Sequence, residues 1–111
     1  MELNNLQALL NVAKDYAVAV CSSFPDTIEI LLFGSVSTNN CHTWSDIDIA
    51  VIIDCPNELE MNSKLYDIAI SKGMFRVHPV SISVSDYKEN ETDGFLHEVR
   101  KGISLITAKK H

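Results

Sequence analysis

The chain has 111 residues, of which 46% are hydrophobic and 22% charged, and its formal net charge is −6. Such values indicate a folded globular protein with a single core and argue against wholesale disorder. The acidic balance argues against a broad basic surface, so direct binding to duplex nucleic acid is not expected.

Helices and strands alternate in the first half of the pattern. Leucine and alanine recur at helical spacing from about residue 2 to residue 22, which predicts a first helix. The apolar run Ile28 to Phe33 predicts a buried strand that ends at Gly34. The polar stretch from residue 35 to residue 43 can hold a short helix and a loop. The β-branched run Ile47 to Ile53 then predicts a second strand.

The alternation continues through the second half. A helix is predicted from Pro56 to about Lys72, with Gly73 as its C-cap. Phe75 to Val84 is a predicted third strand, and the Pro79 within it indicates a sheet edge or a bulge.

The last predicted elements are a helix and a short strand. The helical pattern runs from Asp93, a candidate N-cap, to Lys101, and Ile103 to Ile106 can form a final strand. We therefore predict an α/β (α+β) fold, a small sandwich of helices and strands that takes in residues 1–111 as a single domain.

Two features of the chain bear on where it works. No apolar run approaches the roughly 20 residues that a membrane span needs, and the N-terminal apolar residues lack a basic flank. Cys21, Cys41 and Cys55 are odd in number and unevenly spaced, which fits neither a zinc site nor a disulfide framework. We expect free thiols in a cytoplasmic protein with no membrane partner.

The candidate site begins with a pair of like charges. Asp46 and Asp48 stand one residue apart at the start of the most strand-like segment, so both carboxylates point to the same face of the strand. Without a cation the two carboxylates repel each other, and a divalent cation neutralises them. Mg²⁺ is held in this way, by carboxylate oxygens together with water and substrate phosphates.

Gly34 and Ser35 supply a second feature. A glycine where a strand gives way to a helix lets the backbone approach a ligand closely. Free N–H groups at a helix start favour phosphate, and the Ser35 hydroxyl adds a donor.

These residues carry a resemblance. Gly34-Ser35, ten residues and then Asp46-Ile47-Asp48 resemble the G-S-x10-D-x-D signature of the nucleotidyltransferase fold of the DNA polymerase beta superfamily. The small size and leading helix resemble the minimal nucleotidyltransferases of bacteria and archaea. The resemblance implies a small mixed β-sheet flanked by helices. It implies an NTP substrate, most simply ATP, and two Mg²⁺ ions held by Asp46 and Asp48, with Gly34 and Ser35 on the phosphates.

The resemblance also implies a partner. Small helical proteins of the HEPN type accompany such chains in toxin–antitoxin pairs, where they are modified or restrained. The lead hypothesis is thus transfer of an NMP from an NTP to an acceptor, which a partner chain can supply.

The chain departs from the family pattern at a third position. Members of the family carry another carboxylate on a later strand, but residues 75–83 contain no Asp or Glu, and His78 or a neighbour falls in its place. His78 can be a base, a metal ligand or a polar residue of an edge strand. Val36 also follows Ser35 where relatives often have a basic residue.

These departures keep two alternatives open. One is a nucleotidyltransferase-like binding module that has lost catalysis and acts through a partner protein. The other is a structural homo-oligomer without a ligand, in which the aspartate pair is a solvated strand start.

Overall fold

A computed structural model describes residues 2–34, 46–89 and 94–107. Within these ranges four helices and four strands follow in the order α1 (Glu2–Ser23), β1 (Glu29–Phe33), β2 (Ile47–Ile52), α2 (Glu58–Ser71), β3 (Val77–Ile82), α3 (Val84–Glu89), α4 (Gly94–Arg100) and β4 (Ile103–Thr107). The predicted short helix between residues 35 and 43 and the predicted cap Asp93 lie outside the described residues.

Side-chain and backbone caps set the ends of α2. The helix begins at Glu58 rather than Pro56 because Asn57 is the N-cap, and its Oδ1 accepts a hydrogen bond from the Glu60 N–H at 3.0 Å. At the other end Gly73 has a φ of +71°, and the N–H of Met74 donates to the carbonyl of Ala69 at 2.8 Å. This is a Schellman closure, so the prediction of Gly73 as the C-terminal stop is confirmed.

The segment after α2 differs from its prediction. The predicted strand from Phe75 to Val84 is shortened to β3, and Val84 opens α3, a helix that the pattern did not predict. The side-chain oxygen of Ser83 accepts a hydrogen bond from the Asp86 N–H at 3.2 Å, a local cap that turns the chain out of the sheet.

The four strands form one mixed sheet in the order β3-β2-β1-β4. β2 and β3 are parallel, whereas β1 pairs antiparallel with both β2 and β4. The expected mixed sheet is therefore confirmed, and Pro79 lies on an edge strand as predicted.

Helix α2 closes the outer edge of β3. The carbonyls of Arg76 and Ile82 accept from the N–H groups of Ile47 and Ile53, at the start of β2 and just after its end. The odd-numbered residues of β3 therefore turn their N–H groups outward. Pro79 has no N–H, the Ser81 N–H donates to Oδ1 of Asn62 at 2.6 Å, and the Ser83 N–H donates to Oε2 of Glu58 at 2.8 Å. These N–H donors are thus satisfied within the chain and are not available to pair with another strand.

The sheet packs on both faces. On one face α1 and α2 cover alternate residues of β1 and β2, and the fully buried members include Tyr16, Val20, Ile30, Leu32, Ile47, Ile49, Val51 and Leu65. On the other face Leu96 and Val99 of α4 pack in one cluster with Leu31, Ala50, Ile52 and Ile82 of the sheet. The predicted alternation along β2 is confirmed: Ile47, Ile49 and Val51 face the larger core, and Asp48 shares the face of Ala50 and Ile52.

No helix in residues 2–34, 46–89 and 94–107 combines the length and the apolarity that crossing a bilayer requires.

Candidate functional site

The two aspartates lie at the end of the sheet where β1 finishes and β2 begins. Asp46 directly precedes β2 and its side chain is 66% exposed, whereas Asp48 is half-buried inside the strand. Phe33, the last residue of β1, is the register partner of Asp48. The end of the first strand therefore lies directly beside the second carboxylate.

Gly34 makes close contact with Asp48. Its φ is +81°, a left-handed conformation that favours glycine. A Cβ at position 34 would lie 2.5 Å from Oδ2 of Asp48, so any side chain there would force the Asp48 carboxylate to shift. The absence of a side chain at Gly34 thus leaves room for the Asp48 carboxylate beside the end of β1, while the predicted close approach of a ligand to Gly34 stays a prediction.

His78 occupies the position opposite Asp48 on the neighbouring strand. The parallel register of β2 and β3 pairs Asp48 with His78, so the two side chains project from the same face. Nε2 of His78 lies 3.3 Å from Oδ1 of Asp46. The structure therefore selects His78, among the residues of that strand, as the one that faces the aspartate pair.

Tyr66 completes the group from α2. Its hydroxyl lies 3.4 Å from Nδ1 of His78, and the two rings meet edge to face with centroids 6.4 Å apart. One ring nitrogen of His78 is thus engaged by a phenol and the other by a carboxylate. The sequence pattern gave no sign of Tyr66, because nothing in the helical spacing of α2 relates position 66 to position 78.

The electrostatics of the site concentrate on Asp48. Burial raises the pKa of Asp48 above its ordinary value, and the neighbouring Asp46 carboxylate raises it further, while His78 opposes both effects. The site thus disfavours the ionised form of Asp48, and a bound cation would favour that form.

The donor set fits a magnesium–nucleotide complex. Two carboxylates reach the same end of the sheet, and Mg²⁺ in such sites takes its remaining ligands from phosphate oxygens and water. Within residues 2–34, 46–89 and 94–107, no three His, Cys, Asp or Glu side chains are grouped so that they could hold a metal by themselves. A cation here would therefore depend on a further ligand such as a nucleotide phosphate.

Ser35 lies outside the described residues, so its predicted contact with phosphate stays a prediction. Gly34, Asp46, Asp48 and His78 lie at the same end of the sheet, the last of them through the pairing of β2 with β3.

Comparison with known proteins identifies the family of this chain. A family model described as "Polymerase beta, Nucleotidyltransferase" matches residues 17–111. No curated protein sequence matches the chain at a significant level.

Solved structures show the same fold. A protein of Sulfolobus solfataricus described as a candidate nucleotidyltransferase superposes with a TM-score of 0.75 at 19% identity, covering 98% of this chain and 89% of that one. A toxin–antitoxin complex with AMP-PNP gives a TM-score of 0.60 at 22% identity, covering 86% and 74% of the two chains. The MntA–HpeT toxin–antitoxin complex gives 0.58 at 20% identity, with the same coverage.

Proposed function

This chain belongs to the polymerase beta nucleotidyltransferase family, and on that premise we propose that it transfers an NMP from an NTP to an acceptor. The observation that carries the proposal is the placement of Asp46 and Asp48 on one face of β2, against the left-handed Gly34 that ends β1. ATP is the simplest candidate substrate, because one relative of the same fold was solved with AMP-PNP.

The reaction is substitution at the α-phosphorus. An acceptor oxygen forms a bond to the α-phosphorus, the bond from that phosphorus to the bridging oxygen breaks, and pyrophosphate leaves with the electron pair. Two bound Mg²⁺ ions would supply charge neutralisation of the attacking and leaving oxygens. Asp46 and Asp48 would hold those ions, while Gly34 leaves room for the phosphates and Ser35 offers them a hydroxyl.

His78 takes the place of the family's third carboxylate. In that position it can accept the acceptor's proton at Nε2 or contribute a ligand beside Asp46. The acceptor is proposed to be a partner protein, a small helical chain of the HEPN type, since two structures of the same fold are toxin–antitoxin complexes.

Calorimetric titration with ATP, GTP, CTP and UTP, with and without Mg²⁺, tests the nucleotide site. We expect Mg²⁺-dependent binding of at least one NTP that is lost in both Asp46→Asn and Asp48→Asn. Binding that survives both substitutions, or no binding of any NTP, would contradict the site assignment.

A second candidate function is a binding module without catalysis. It is favoured by one specific observation: the residue opposite Asp48 is a histidine, on the strand where the resemblance implies a carboxylate. Label transfer from α-labelled but not γ-labelled NTP to a partner protein supports the enzyme. Binding of NTP without any transfer, together with transfer restored by His78→Asp, supports the module.

A further inference from the structure

The imidazole of His78 is held in a defined orientation beside the aspartate pair. Tyr66 engages Nδ1 at 3.4 Å, which leaves Nε2 facing Oδ1 of Asp46 at 3.3 Å. Both side chains of the His78–Asp46 pair are open to solvent, with 44% and 66% of their surface exposed. A cation can therefore reach the pair without displacing the core.

The spacing between Nε2 and Oδ1 suits two neighbouring ligands of one ion. Ligand atoms at right angles on an octahedral cation, with bonds of about 2.1 Å, are roughly 3.0 Å apart. The observed 3.3 Å is within a few tenths of an ångström of that separation. Small rotations of the two exposed side chains would bring Nε2 and Oδ1 to that separation.

Tyr66 stands where a supporting group for a metal-bound histidine is expected. A histidine that binds a metal through one ring nitrogen usually directs the other to a hydrogen-bond partner, which fixes the tautomer. In the tautomer whose Nδ1–H donates to the Tyr66 oxygen, Nε2 presents its lone pair toward Asp46, where a cation between the two atoms would accept it. The phenol therefore presents the nitrogen that can coordinate.

A nitrogen ligand changes which cation a site prefers. Mg²⁺ is a hard cation that is bound through oxygen, whereas divalent transition metals accept imidazole readily. Replacing a carboxylate by a histidine also removes one negative charge from the ligand set. We consequently expect this site to bind Mg²⁺ less tightly than the family's three carboxylates would.

We propose that His78 is a nitrogen ligand, alongside Asp46, to the cation of the nucleotide complex, and that it shifts the preference of the site from Mg²⁺ toward a divalent transition metal such as Mn²⁺. The proposal rests on the proposed nucleotide site and specifies its metal. It assigns His78 to the cation rather than to the acceptor's proton.

Binding of Mn²⁺ in the presence of AMP-PNP, followed by electron paramagnetic resonance, gives the first test. We expect Mn²⁺ to bind at least about tenfold more tightly than Mg²⁺, since nitrogen-containing sites favour transition metals. His78→Ala should weaken Mn²⁺ binding by roughly tenfold, and His78→Asp should reduce the ratio of the Mn²⁺ affinity to the Mg²⁺ affinity. His97→Ala, at an exposed histidine of α4, is the matched control and should change neither affinity.

Electron spin-echo envelope modulation of the bound Mn²⁺ gives a second readout that does not depend on activity. A directly coordinated imidazole nitrogen should appear in the wild-type protein and in His97→Ala, and it should disappear in His78→Ala and His78→Asp. Mn²⁺ bound with nucleotide but without this coupling would overturn the assignment of His78 while leaving the nucleotide site standing. Failure of both Mn²⁺ and Mg²⁺ to support nucleotide binding would overturn both proposals.

Discussion

Gly34 and Asp48 lie so close together that neither position can be considered alone. A Cβ at residue 34 would come within 2.5 Å of Oδ2 of Asp48, and the φ of +81° already favours glycine. The glycine of the motif is thus required twice, once for the turn and once for the carboxylate. The GS half and the DxD half of the motif meet at this contact.

Gly34→Ala should damage both stability and ligand binding. A left-handed alanine costs about 1–2 kcal/mol of folding free energy. The added methyl group must also displace the Asp48 carboxylate, which we expect to weaken Mg²⁺-dependent nucleotide binding by roughly tenfold to hundredfold. Urea unfolding and calorimetric titration measure the two effects separately.

Gly73→Ala is the matched control for that experiment. Gly73 has a φ of +71°, but a Cβ there meets nothing within 4 Å. We expect the same backbone cost and no change in nucleotide affinity. Equal losses of affinity in the two variants would show that Gly34 acts only through backbone strain.

Asp48→Asn should stabilise the ligand-free protein at neutral pH. Because burial raises the pKa of Asp48, the folded chain binds this proton more tightly than the unfolded chain does. The resulting stabilisation is complete below the unfolded pKa of about 4 and is lost as pH rises through the folded pKa. The amide carries no charge at any pH, so the variant avoids this loss.

Thermal unfolding between pH 3 and pH 7 measures the effect. We expect Asp48→Asn to exceed the wild-type midpoint at pH 7, by less than roughly 4 °C, the shift that about 1 kcal/mol produces in a domain of this size. The advantage should shrink as the pH falls. Asp15→Asn, at an exposed position of α1, should stay close to the wild type throughout.

Tyr16→Phe should loosen the contact between α1 and α2. Tyr16 is fully buried, and its hydroxyl donates to the carbonyl of Leu65 at 2.8 Å. Removing the hydroxyl deletes one hydrogen bond to a carbonyl that keeps its donor within α2, which costs about 0.5–1.5 kcal/mol. Urea unfolding should show the loss, while Gln7→Ala, at an exposed hydrogen bond on the same helix, should cost little. Equal stability of Tyr16→Phe and the wild type would show that this hydrogen bond does not stabilise the fold.

Asn62→Ala should leave the Ser81 N–H, on the edge strand β3, without its hydrogen-bond acceptor. Oδ1 of Asn62 accepts from the N–H of Ser81 at 2.6 Å, and Ser81 is only 3% exposed. The unpaired N–H should destabilise the protein by about 1–3 kcal/mol. Hydrogen exchange should rise at Ser81 in this variant and stay unchanged in Ser63→Ala, at an exposed position on the same helix. Unchanged protection at Ser81 would contradict the edge-closing role of α2.

Local sequence patterns correctly predicted much of the fold. α1, β1 and β2 appear within a residue or two of their predicted bounds, because each buries one face and the apolar period records it. The predicted bounds were wrong where side chains outside the periodic pattern set the end of a helix or strand. Helix α2 begins later than predicted because Asn57 is its N-cap. Strand β3 ends earlier than predicted, and α3 begins there, where the Ser83 hydroxyl accepts a hydrogen bond from the Asp86 N–H.

The sequence by itself determined which residues form the candidate site, because the glycine and the two aspartates are close along the chain and strand alternation alone puts both carboxylates on one face. Only the tertiary structure decided what faces them. The parallel register of β2 and β3 brings His78 opposite Asp48, and the packing of α2 brings Tyr66 to the far side of the imidazole. Residues 48, 66 and 78 come from three separate elements, and no local period relates them, so their contact depends on the whole sheet.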